Sequence, residues 1–143
     1  MQILFMIMAA SLLLLYSPYL LYILRGKAGD FEERIQEEVA ASLDPILENP
    51  WRVLLPVVAV ALLAEAAYFI SAWMVFDRVV FRGLTLGFVL FELFHLGRTL
   101  LYLPGFATGR VKIDTLVSWP LERTSAIAFS IHAILGLLLI IWP

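Results

Sequence analysis

Apolar residues fill four long windows of this chain, and charged and polar residues gather between them. The windows run from Leu4 to Leu24, Val53 to Phe76, Leu84 to Leu103 and Thr124 to Trp142. Each reaches or approaches the roughly 20 residues that a helix needs to cross a bilayer's hydrocarbon. The pattern predicts an all-α integral membrane protein, a bundle of four transmembrane helices forming one domain over residues 1–143.

Punctuation supports the windows. Asn49 and Pro50 read as an N-cap followed by a first-position proline, Ser118 and Pro120 do the same ahead of the fourth window, and Pro104 with Gly105 is expected to stop the third. Trp51, Trp73, Trp119 and Trp142 fall at window ends, where an amphipathic indole suits headgroup depth. Pro18 and Pro56 lie inside windows and remove backbone donors, so a bend is expected at each. No basic residue precedes the first window, while Arg25 and Lys27 follow it, which predicts a retained helix rather than a secretory signal.

The polar segments set an orientation. Arg25, Lys27 and Arg34 in the first loop and Arg110, Lys112 and Arg123 in the third outnumber Arg78 and Arg82 in the second. Basic loops stay cytoplasmic, so both termini are expected outside, in a prokaryotic cytoplasmic membrane. The first loop is predicted to hold a short cytoplasmic amphipathic helix over residues 30–44, with Asp30 as N-cap and Glu33 completing a capping box. Phe31, Ile35, Val39, Ser42 and Leu43 share one side of it, Glu32, Glu33, Arg34 and Glu37 take the rest, and Asp44 and Pro45 end it. Its polar face is acidic, unlike the basic faces that hold helices on anionic lipid, so Phe31, Ile35, Val39 and Leu43 are expected to dock on the bundle or a partner subunit. A solvated connector helix is the competing reading.

Composition narrows the partners. An apolar content of 62% and a mean hydropathy of +0.93 make the lipid bilayer the main solvent. A net charge of -2 without a dense basic run disfavours nucleic acid and anionic headgroups. The absence of cysteine removes disulfides, thiolate metal sites and iron–sulfur clusters. Signatures of nucleotide-binding loops, zinc proteases and serine hydrolases are missing as well, so an autonomous enzyme is not expected.

Four ionisable residues interrupt the apolar windows near their centres: Glu65 in the second, Glu92 and His95 in the third, His132 in the fourth. Such residues are costly in hydrocarbon and usually face a bundle interior or a wet cavity. At a rise of 1.5 Å per residue the four are expected within roughly 5 Å in depth, close enough to converge. Glu92 and His95 share a helix face at i, i+3 with Thr99, and Arg98 is placed to snorkel or pair with a carboxylate.

Three readings follow. Histidine titrates near neutrality and burial disfavours a charged carboxylate, so Glu65, Glu92, His95 and His132, with Arg98 as charge partner, form a candidate proton or ion relay. The same mixed imidazole and carboxylate donors suit one divalent metal, zinc, iron or manganese, at Glu65, Glu92, His95 and His132. His95 and His132 are alternatively the axial pair of one b-type haem. A dinuclear centre is disfavoured, since Phe129 stands where a second Glu-x-x-His motif needs a carboxylate. In the third reading the polar groups are interhelical glue in a scaffold or assembly subunit. So small a bundle encloses little volume, which favours a homo-oligomer or one subunit of a membrane complex.

Overall fold

The computed structural model describes residues 1–41 and 50–142. Its elements are α1 (Gln2–Leu24), α2 (Ala28–Ala41), α3 (Pro50–Val75), α4 (Val79–Ala107), α5 (Ile113–Leu116) and α6 (Trp119–Ile141). Four helices are long and apolar enough to cross a membrane: α1, the Val58–Val75 part of α3, α4 and α6. The described residues form no strand.

Two helix ends are set by glycine in the left-handed region. After α1, Gly26 (φ 69°) donates to the Ile23 carbonyl and Lys27 to that of Tyr22. After α4, Gly109 (φ 70°) donates to Phe106 and Arg110 to Gly105 in the same pattern. Both are Schellman closures, in which only a glycine takes the reversing position without a Cβ penalty. The third window therefore does not stop at Pro104 and Gly105: α4 runs through both to Ala107. Gly105 serves a close approach instead, since an added Cβ would meet the Val111 side chain as the chain folds back. Helices α1 and α3 likewise continue through Pro18 and Pro56. Ser118 stands at the N-cap of α6 as expected, without a side-chain capping bond, and Pro120 lies in its first turn.

The core is a sheaf of aromatic rings. Phe5 and Ala9 of α1, Tyr68, Phe69 and Phe76 of α3, Phe81 and Phe88 of α4, and Phe129 and Ala133 of α6 are buried together. Edge-to-face pairs such as Phe69 with Phe88 (5.3 Å) and Phe88 with Phe129 (4.6 Å) bind three helices. Gly136 admits α1, because a Cβ there would strike the Phe5 ring. Such close ring packing supplies cohesion that does not depend on water as the surrounding solvent.

Helix α2 begins at Ala28, two residues before the expected cap, because the Gly26 reversal already turns the chain; Asp30 sits in its first turn and donates its amide to Lys27. Phe31 stacks on Tyr19 (4.8 Å) and lies 5.4 Å from Tyr22, while Ile35 and Val39 are half-buried. Ser42, Leu43, Asp44, Pro45 and Asn49 lie outside the described residues. Glu32 departs from its expected place on the solvent side. It is buried, takes the Tyr19 hydroxyl (2.6 Å), and accepts both a 2.5 Å and a 2.7 Å bond from the Arg123 guanidinium. That fork draws the carboxylate inward and ties α2 to α1 and α6.

Arg123, and to a lesser degree the Tyr19 hydroxyl, hold the Glu32 carboxyl below its ordinary range against the opposing effect of burial. A carboxyl whose folded pKa lies below its unfolded one stabilises fully above the unfolded value, and the contribution is lost as the pH falls through the folded one. Amide protection of residues 28–41 is therefore expected to hold at neutral pH and drop below about pH 4. Hydrogen exchange reads this directly, and Glu32→Gln should weaken protection at neutral pH and erase the acid step.

Candidate functional site

The inward stripe of α4 carries Phe81, Thr85, Phe88, Glu92 and His95, spaced three and four apart. Antiparallel α6 answers with His132, Phe129, Ser125 and Glu122. Thr85 meets His132, Glu92 meets Ser125, and His95 meets Glu122. Seven residues therefore separate the His132 level from the Glu92 level on both helices, about 10 Å of depth. The four residues expected to converge divide into two sites.

The first is buried. His132 is 5% exposed, and the rings of Tyr68, Phe69, Phe81 and Phe88 lie within 4.6 to 6.3 Å of its own. The Thr85 hydroxyl donates to the Phe81 carbonyl (2.8 Å), so its oxygen accepts from His132 Nε2–H at 2.8 Å. Nδ1 is then the acceptor, and the Tyr68 hydroxyl donates to it at 2.6 Å. Bond accounting thus assigns one tautomer and leaves neither nitrogen free for a metal or a haem iron. The metal set of Glu65, Glu92, His95 and His132 does not assemble, and among the described residues no group of three or more acidic or histidine side chains is placed to hold a metal ion.

The second is an open row. Glu92, 6% exposed, accepts from the Ser125 hydroxyl at 2.6 Å through Oε1 and faces His95 Nδ1 at 3.4 Å through Oε2. His95 Nε2 lies 3.0 Å from Glu122 Oε1. The His95 side chain is 12% exposed and that of Glu122 is 34%, so the row passes from the interior to the edge of the bundle. Glu122 stands in the first turn of α6, where the helix dipole favours a negative charge.

Glu65 reaches the same level from α3. Phe69 packs on Phe88, and four residues from that contact along each antiparallel helix lie Glu65 and Glu92. Both line a groove of about 500 Å3 between α3 and α4, whose other walls include Leu62, Ala66, Trp73, Val89 and Leu96. Glu65 is half-buried, and among the described residues it has no hydrogen bond or ion pair. Among the described residues Arg98 takes no carboxylate either. It donates to the carbonyls of Thr115 (2.8 Å) and Leu116 (3.2 Å) and lies over Tyr102, fastening the end of α5 to α4.

Sequence reasoning missed Glu122, Ser125, Tyr68 and Thr85. Glu122, Ser125, Phe129, His132 and Gly136 do recur at helical spacing, a stripe that was there to be read. The partners of each depend on register across helices. No family model matches the chain, and neither a curated protein nor a solved structure is similar to it.

Proposed function

We propose that this chain is an integral membrane protein that carries protons or a bound cation along Glu65, Glu92, His95 and Glu122. The observation behind the reading is His95 with a carboxylate on each ring nitrogen, 3.4 Å to Glu92 and 3.0 Å to Glu122. A neutral ring accepts a proton from the Glu92 carboxyl at Nδ1 and releases one from Nε2 to the Glu122 carboxylate. The transfer leaves the ring in the opposite tautomer, and a ring flip or proton exchange resets it. Glu65 and Glu92 are the exchangeable carboxylates at mid-depth, and Glu122 is the aqueous terminus. His132 and Arg98, committed to other partners, stand outside the path. Under the charge-derived topology Glu122 opens to the cytoplasm, and both chain termini lie outside.

Proteoliposomes with a pH-sensitive dye inside and the membrane potential clamped provide the test. Wild-type vesicles should equilibrate an imposed pH step faster than protein-free ones, and Glu92→Gln should remove the difference. Wild-type flux equal to that of empty vesicles refutes the reading. The proposal includes assembly as an oligomer or within a larger membrane complex. Native mass spectrometry from mild detergent should show species above the monomer, and a lone monomer counts against it.

The row has a second reading as interhelical glue, favoured by the Glu92–Ser125 and His95–Glu122 bonds that join α4 to α6. In that case apolar replacements of these residues lower stability without touching flux.

A further inference from the structure

The groove between α3 and α4 combines two features that call for different kinds of occupant. Its walls are apolar over most of their length, from Trp73 and Met74 at one end to Leu62 and Leu96 at the other. Within a turn of the latter end it carries two carboxylates, Glu65 and Glu92. Glu92 is already engaged through both oxygens, by Ser125 and His95. Glu65 is half-buried with no described hydrogen-bond or ion-pair partner, so its carboxyl is open to an occupant of the groove.

The occupant is constrained from both sides. An acyl chain would satisfy the walls and leave the Glu65 carboxyl without a partner. A hydrated inorganic ion would satisfy Glu65 and leave the apolar walls against water. An anion would meet two carboxylates. The volume, about 500 Å3, falls in the range of small-molecule sites, roughly 300–1,000 Å3. We propose that this groove binds an amphipathic organic cation, its apolar body between α3 and α4 and its positive centre against Glu65.

The assignment rests on the reading of Glu65 and Glu92 as exchangeable carboxylates, and it extends that reading to a substrate class. A cation that replaces the proton on Glu65 releases that proton beside Glu92, at the head of the row leading through His95 to Glu122. Cation binding and proton movement then share one carboxylate, and each excludes the other there.

The test compares two ions of the same shape and opposite charge, tetraphenylphosphonium and tetraphenylborate. Each is titrated calorimetrically into the full chain in nanodiscs, with empty discs as the blank. Saturable binding is expected for the cation alone, weakened at least tenfold by Glu65→Gln. Ala66→Phe, which fills the groove and keeps both carboxylates, should weaken it comparably, and Glu65→Asp should retain the preference for the cation. Equal binding of both ions, no binding above the blank, or unchanged affinity in Glu65→Gln overturns the assignment. Proton flux measured on the same wild-type preparation separates the failures: flux without cation binding sinks the groove assignment alone. Cation binding retained in His95→Ala supports it independently of the relay.

Discussion

His95→Ala should reduce proton flux in proteoliposomes to the level of protein-free vesicles while leaving the bundle folded. The ring joins two carboxylates on different helices, and without it Glu92 and Glu122 are too far apart to exchange a proton directly. Its removal costs one marginal bond at 3.4 Å to the buried Glu92, which keeps its Ser125 bond, and one at 3.0 Å to a partly exposed carboxylate, so the loss of stability is about 1–3 kcal/mol. Free imidazole added to the variant should restore part of the flux, because the space vacated by the ring admits a ring of the same chemistry. A His95→Ala protein with wild-type flux takes histidine out of the path. A variant that recovers flux with imidazole ties the chemistry to this position and argues against the glue reading, under which no small molecule restores anything.

His132→Ala should have the opposite profile, a large loss of stability with no specific effect on flux. The substitution opens a cavity among Tyr68, Phe81 and Phe88 and leaves two hydroxyls, on Tyr68 and Thr85, without their shared partner. A buried aromatic reduced to alanine costs about 3–5 kcal/mol, and a stranded buried hydroxyl adds to it. Thermal unfolding in detergent should register the drop. The double variant Tyr68→Phe with His132→Leu removes both members of one bond and refills the space, so it should be much less destabilised than the single alanine variant. Its flux per folded protein should match wild type. Loss of flux in that folded double variant would place His132 on the path and undo its separation from the Glu92 level.

These two histidines look alike in the sequence, each near the middle of an apolar window with small or polar neighbours a turn away. Their environments diverge because the windows are not equal rulers of depth. Helix α4 has 29 residues and α6 has 23, and the two are aligned by Thr85 against His132 rather than by their midpoints. The surplus of α4 extends past the start of α6 toward Gly109, and that displacement carries Glu92 and His95 toward one end of the bundle.

Local chemistry alone dictated a good deal. Long apolar runs admit only helices in a hydrocarbon solvent, since every backbone donor there needs a partner within its own segment. The four candidate spans, the start of α3 at Pro50, the Ser118 cap and the shared face of Glu92 and His95 all follow from residues near one another in the chain. The Schellman ends at Gly26 and Gly109 are equally local, and the expected stop at Pro104 and Gly105 failed because the helix closes only where Gly109 takes the reversing conformation.

Only the tertiary structure decided which polar groups meet. An ionisable side chain advertises its cost in lipid wherever it lies, but its partner is chosen by helix register and rotation, which short-range patterns do not encode. Glu32 turned inward because Arg123, 91 residues away, reaches it with a fork of two bonds. Likewise Glu122 joined the row because α6 presents it to His95, and Glu65 was left facing an open groove because no described side chain bonds to it. Sequence supplied the charges; packing between helices set their relative depth and sorted them into a buried histidine and an open row.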